Sequence, residues 1–269
     1  MKVLLVGAAG TVGMALHKEL ANHGHQVRCV DLAPPRYDVA DVLRLFGYDP
    51  NPPDAEWVYQ DVTKLEAPDA LLRGMDAVAY AALSTAVSDT NAQFSVNLAG
   101  PCCLLRACAK YRVLKFVYAG SVSVNGPRRN ETVTERTPPH MGGGYSVSKW
   151  LAEVMLREYT DQQGLRTISL RLGTVCPHLW LRTMEGAYTQ VRIDVRDVAR
   201  AFRMALEDQS IRHDVLHVVS QGTPVYCDPS HAKEILGFEA EFNGPEHFAE
   251  LRRKQMAFWN SVGAQGAAG

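Results

Sequence analysis

The chain opens Lys2-Val3-Leu4-Leu5-Val6-Gly7-Ala8-Ala9-Gly10-Thr11-Val12-Gly13. Its first residues form a short, almost unbroken apolar run, as expected of a strand covered on both faces in a parallel sheet. Three glycines follow at once, and Met14–His23 then repeats its apolar residues with a helical period. Strand, glycine turn and helix, in that order, are the context of a dinucleotide site. The glycines permit a tight turn, close backbone approach to a pyrophosphate and close helix packing, while helix N–H groups face the phosphates. A plain strand-to-helix turn rarely needs three glycines at this spacing.

Outward from that stretch the chain alternates strand and helix. Gln26–Asp31 reads as the second strand and ends on an acid. A carboxylate there accepts hydrogen bonds from a ribose diol and repels a 2′-phosphate, so Asp31 favours NAD over NADP. Arg36, five residues on, is the counter-indication. The Pro- and Gly-rich stretch 33–55 holds one short helical pattern, Val39–Phe46, and is placed beside the adenine end of the cofactor. Further strands are expected at Glu56–Gln60, Asp76–Ala81, Lys115–Ala119 and Thr167–Leu172. Helices are expected at Lys64–Arg73, at Asn91–Tyr111 with a kink or offset start at Pro101, and at Tyr145–Gln163. This order predicts an α/β fold, a Rossmann-type doubly wound parallel sheet. Ligands in such sheets bind outside the carboxyl ends of the strands. Gly7, Asp31, Asp61, Ala81, Ser121 and Gly173 all fall at those ends.

Beyond Gly173 the period weakens, with helices expected at Val195–Glu207, Pro229–Leu236 and Glu246–Asn260 and a strand at Val215–Val219. The predicted organisation is a dinucleotide-binding core over 1–172, a small substrate lobe over 173–262 interleaved with that core, and a disordered tail over 263–269.

Tyr145-Ser146-Val147-Ser148-Lys149 opens the third long helix. Residues four apart share a helix face, so Tyr145 and Lys149 lie together. A phenol titrates near pH 10 in water, and a neighbouring ammonium favours its ionised form. A tyrosine so adjusted exchanges a proton with an alcohol or ketone; the hydride half of that chemistry needs a nicotinamide.

Composition narrows the classes. The 269 residues are 46% hydrophobic, enough for a sizeable core. A formal charge of −1 and a pI near 6.8 give no electrostatic case for nucleic acid or membrane. The six cysteines show no C-x-x-C pair and no zinc spacing, so reduced thiols and a cytoplasmic location are expected. No metal is expected either, since His140, His178 and His217 have no partners at ligand spacing.

Taken together, these residues resemble the extended short-chain dehydrogenase/reductase family, the NAD-dependent epimerase/dehydratase group, over roughly residues 1–240. Its G-x-x-G-x-x-G matches Gly7, Gly10 and Gly13, its acid matches Asp31, and its Asp plus apolar adenine contact matches Asp61-Val62. Its Ser/Thr, Tyr and Lys match Ser121, Tyr145 and Lys149, and its helix asparagine matches Asn97. Arg196-Asp197-Val198-Ala199 and Leu236-Gly237-Phe238 agree as well. The resemblance implies that Ser121 holds the substrate oxygen, with Ser123 as the alternative. It implies that Tyr145 exchanges the proton and that Lys149 lowers the tyrosine pKa and binds the nicotinamide ribose. Thr11, Val12, Ala81, Ala82 and Leu172 complete the expected cofactor contacts. A homodimer through Asn91–Tyr111 and Tyr145–Gln163 is the family's default.

For the substrate, only about twenty residues separate Gly173 from Val195, a compactness similar to the uronate dehydrogenases. A sugar-acid carboxylate calls for an arginine; Arg182 is the candidate, with Ser84 and Ser123 beside it, and Trp180 and Tyr188 as possible pocket walls. Those enzymes carry Asn-His after the catalytic serine, where this chain has Val122-Ser123. The leading expectation is an NAD-dependent oxidoreductase acting on a sugar acid, aldose or polyol. An NAD-retaining epimerase or dehydratase and a non-catalytic dinucleotide sensor or scaffold are the alternatives.

Overall fold

A computed structural model of the chain describes residues 1–35, 40–41, 43–44, 55–64, 68–84, 86, 88–126, 131–177, 191–221 and 227–266, those of 262–266 by backbone alone. Six strands, β1 (Lys2–Val6), β2 (Gln26–Asp31), β3 (Glu56–Tyr59), β4 (Ala77–Tyr80), β5 (Lys115–Ser121) and β6 (Arg166–Leu172), are joined by a late seventh, β9 (His213–Val218). Their spatial order is β3-β2-β1-β4-β5-β6-β9 and every pairing is parallel. This is the expected doubly wound Rossmann sheet, with the reversal of winding between β1 and β4. Two short strands, β7 (Thr174–Cys176) and β8 (Arg192–Asp194), pair in parallel outside it; they lie where the sequence shows no clear period.

Alternation along each strand divides the core into two layers. Val3 and Leu5 pack with Leu16 and Leu20 of α1 (Thr11–Asn22) and with Phe202 of α6 (Val195–Glu207). Leu4 and Val6 pack on the other side with Leu104, Leu105 and Leu156. All of these side chains are essentially buried, and each contributes roughly 1.5–3 kcal/mol by leaving water. Thus α6 and β9, though late in sequence, complete the main core. We propose that the substrate lobe is the remainder, β7, β8, α7 (Ser230–Leu236) and α8 (Pro245–Gly266), interleaved with it. The helix α8 runs to Gly266; 267–269 lie outside the described residues.

The expected helix Lys64–Arg73 is shorter, α2 (Asp69–Leu72), preceded by a 3₁₀ turn at Val62–Lys64. The Asp61 carboxylate holds that turn by accepting from the Thr63 amide at 2.9 Å, and Pro68 brings no N–H to extend the helix.

The expected long helix with Pro101 inside it resolves into α3 (Thr90–Phe94), a π turn at Ser95–Ala99, and α4 (Gly100–Tyr111). Proline cannot donate to the carbonyl four residues back, which is that of Asn97. The Tyr118 hydroxyl donates to it instead, at 2.8 Å, and the Tyr80 hydroxyl donates to the Val96 carbonyl at 2.6 Å. Two core tyrosines thereby supply bonds that the turn leaves open. Gly100 makes room, because a Cβ there would stand 2.4 Å from the Tyr80 hydroxyl oxygen. The helix α5 spans Gly144–Gln163. No described helix is long and apolar enough to cross a membrane.

Candidate active site

The turn after β1 is packed to the backbone limit. Gly7 has φ +84°, and a Cβ on it would lie 2.5 Å from the Ala82 amide nitrogen; a Cβ on Gly13 would lie 2.0 Å from the Gly7 carbonyl. Gly10 differs, since its nearest neighbour would be 3.5 Å away. Packing within the protein does not demand glycine there, and its absence of a side chain leaves room for a ligand to approach the backbone. The first turn of α1 has no side-chain cap and no acid, so its N–H groups, with Thr11 and Val12 leading, are free for an anion. Asp31 reaches the same turn: its carboxylate accepts from the Ala9 amide at 2.9 Å and the Leu32 amide at 2.7 Å. A carboxylate has about four acceptor sites, which leaves capacity for a ribose diol. Ala81 and Ala82 wall the turn, Val62 is buried against the Gly100 face, and Leu172 closes the end of β6. Asp61 is turned into its own 3₁₀ turn, where the Thr63 hydroxyl holds its carboxyl below the usual range, with the Thr63 amide and Lys64 adding to it against burial. The cradle fits a dinucleotide.

β5 is buried along its length and delivers Ser121 at its carboxyl end. The Ser121 hydroxyl accepts from the Ser123 amide at 3.2 Å and is close enough to the Tyr145 phenol to favour its ionised form. Lys149, one turn along α5 from Tyr145, is 1% exposed. Its ammonium donates to the Ala119 carbonyl at 2.8 Å, and lies 4.7 Å from the centre of the Tyr118 ring and 5.8 Å from that of Tyr145. Burial pushes the Tyr145 phenol above its ordinary value, the Ser121 hydroxyl opposing. Burial also pushes Lys149 down to about 7, with Glu153 opposing. Burial thus outweighs the lowering expected from the lysine, whose ammonium is tied to a carbonyl.

Asn97, on the π turn, is fully buried and donates to the Ser148 hydroxyl at 3.0 Å, which fastens that turn to the helix of Tyr145. Ser84 is buried and accepts from the Ala86 amide at 3.2 Å. Ser123 keeps a buried hydroxyl without a partner among the described residues. Arg182 lies outside the described residues, as do Arg36, His178, Trp180, Tyr188 and, of the expected helix Val39–Phe46, Val39, Val42, Leu45 and Phe46. His140 and His217 are loop and strand residues.

One cluster beneath the site was not anticipated. Arg171 on β6 grips Glu153 on α5 with two bonds, 2.7 and 3.0 Å, both groups nearly inaccessible. It also donates at 3.2 Å to the Asn125 side-chain oxygen, which lies 3.2 Å from the His217 ring. Gly120 leaves space for this, as a Cβ there would stand 2.5 Å from the Ser169 hydroxyl. A signal was present: Glu153 follows Lys149 by four, and an arginine inside a buried strand needs a partner.

A model of the NAD-dependent epimerase/dehydratase family matches residues 3–191. The chain belongs to that family. It is 26% identical to a uronate dehydrogenase of Pseudomonas syringae pv. tomato over 87% of this chain and 80% of that protein. Among solved structures, a uronate dehydrogenase from Agrobacterium tumefaciens superposes with a TM-score of 0.76 at 22% identity, covering 94% of this chain and 88% of that one. A UDP-glucose 4-epimerase from Thermotoga maritima gives 0.78 at 20%, covering 97% and 100%. Both likenesses establish the shared fold. The extended short-chain dehydrogenase/reductase resemblance and the Rossmann α/β class therefore hold, and the family is one of NAD-dependent enzymes.

Proposed function

We propose that the chain is an NAD-linked dehydrogenase of small sugar acids. The observation that carries this reading is the junction of Ser121, Tyr145 and Lys149 at the end of β5, in a fold whose glycine turn fits a dinucleotide. Gly7, Gly10, Gly13 and the first turn of α1 would hold the pyrophosphate, Asp31 the adenosine ribose, and Lys149 the nicotinamide ribose. A bound NAD supplies the hydride acceptor. Ser121 holds the substrate hydroxyl by its oxygen, and Tyr145, as the phenolate that Lys149 and a bound nicotinamide cation would favour, takes the proton from that hydroxyl as the carbonyl forms. Lys149 is buried and Tyr145 half-buried, so the ammonium and the phenol feel each other's charge more strongly than in water. Ser84, Ser123 and Arg182 are the proposed substrate contacts, with the partnerless Ser123 hydroxyl supporting a polar ligand.

The sequence likeness to a uronate dehydrogenase, which extends over 80% of that protein, supports a sugar acid. The equal fold likeness to a UDP-glucose 4-epimerase keeps a second reading, an epimerase or dehydratase that retains its NAD. A dinucleotide sensor or scaffold would not require the three side chains together. We further propose a homodimer through α4 and α5, supported by the outward apolar Val154, 44% exposed.

The test is reduction of NAD, with NADP alongside, over a panel of uronates, aldoses, polyols and nucleotide sugars. Sustained NADH release with a uronate is expected. Purified protein that already holds NAD, interconverts a nucleotide sugar and releases no NADH would establish the epimerase instead.

A further inference from the structure

The amino ends of β5 and β6 lie at the pole of the sheet opposite Ser121, about 20 Å away for six residue steps of strand. There α4 and α5 end and a cavity of about 590 Å³ opens, lined by Arg112, Arg166, Arg212, Leu114, Leu165 and Ser210 among others. Its lining residues include three arginines and no carboxylate. Arg212 has Asp161 at 3.8 Å, both well exposed. Arg112 and Arg166 have no ion pair and no side-chain hydrogen bond among the described residues.

Cations near helix carboxyl ends are ordinarily explained by the terminal carbonyls. Here neither Arg112 nor Arg166 donates to one. Arg112 also has φ 55°, the left-handed region, and is the only described non-glycine residue with positive φ. Glycine is the usual occupant of that position after a helix, so an arginine there keeps its guanidinium against a conformational preference. Lys115, the first residue of β5, adds to the crowding: burial pushes it down to about 8, with Asp208 opposing and Arg166 contributing. Leu114, 56% exposed, gives the cavity an apolar wall.

We propose that this cavity binds a multivalent oxyanion of metabolite size, its phosphate or carboxylate groups held by Arg112, Arg166 and Arg212 and its apolar part resting on Leu114. Guanidinium forks match both kinds of group. The site is distinct from the dinucleotide cradle and stands whether or not the dehydrogenase reading does.

Titration calorimetry of the full chain with pyrophosphate and with citrate, at physiological salt, tests this. Saturating NAD is included to occupy the glycine turn. Binding of either probe at one site per chain is expected, and the tighter one assigns the phosphate or carboxylate class. Arg112→Gly and Arg166→Gln should each weaken it by roughly tenfold or more. Arg112→Gly suits the left-handed backbone, so its melting temperature should not fall, which separates lost binding from lost folding. Absence of binding by both probes, displacement by NAD, or affinity unchanged in both variants would overturn the proposal.

Discussion

Lys149 donates to the Ala119 carbonyl at 2.8 Å, so the cation of the candidate triad is anchored to β5 and not to the phenol that shares its helix face. The anchor fixes where the ammonium sits, while burial weakens its hold on a proton. Its pKa near 7 lies below the ordinary 10.5. The unfolded chain therefore binds more protons between those values, and stability rises with pH across that window. Lys149→Met is expected to melt higher than the parent at pH 6, by on the order of a few kcal/mol, with the two converging toward pH 10. Equal melting at pH 6 would show that the buried ammonium costs nothing.

Tyr145→Phe removes one oxygen from a half-buried side chain and leaves the glycine turn untouched. Turnover should fall by roughly 10²–10⁴, and NAD affinity, measured by fluorescence titration, should stay within about twofold. A variant that kept its rate would remove Tyr145 from the chemistry.

Arg171→Met strands the Glu153 carboxylate in the interior. A loss of about 3–5 kcal/mol is expected in urea unfolding. The double variant Arg171→Met, Glu153→Leu should recover a large part, because the unpaired charge is gone. A double variant no better than the single would mean that the network, not the lone charge, carries the energy.

Gly100→Ala would normally favour a helix. Here the added carbon would meet the Tyr80 hydroxyl at 2.4 Å, and we expect a loss of about 1–3 kcal/mol. Tyr80→Phe removes the obstructing oxygen, so the cost of the alanine should shrink in that background. An equal cost in both backgrounds would place the clash elsewhere.

Local patterns explain why so much was legible. Val6-Gly7 through Gly13 carries its strand, turn and helix within a dozen residues, and Tyr145 and Lys149 are one helical turn apart. Both are short-range signals, and both fall at the same edge of the sheet. Asn97 was legible by resemblance, although its bond to Ser148 crosses fifty residues. The π turn was not, because it depends on the Tyr80 and Tyr118 hydroxyls arriving from β4 and β5 to meet carbonyls that Pro101 leaves open. The Arg171–Glu153–Asn125 cluster escaped for the same reason: three elements supply it, and no spacing joins them. The weight of burial on Tyr145 and Lys149 was not legible, because helix geometry gives proximity and says nothing of solvent.

The strand order has a consequence for biosynthesis. β6 is complete when residue 172 has been made, but its outer partner β9 begins only at His213. At about 5–20 residues per second, a ribosome needs several seconds to cross that gap. Throughout it the nascent sheet shows an unpaired parallel edge to the cell, a template for wrong pairing with another chain. Truncations that stop short of residue 218 should therefore be far more prone to aggregate than the loss of one edge strand suggests, and chaperone demand should peak in that interval.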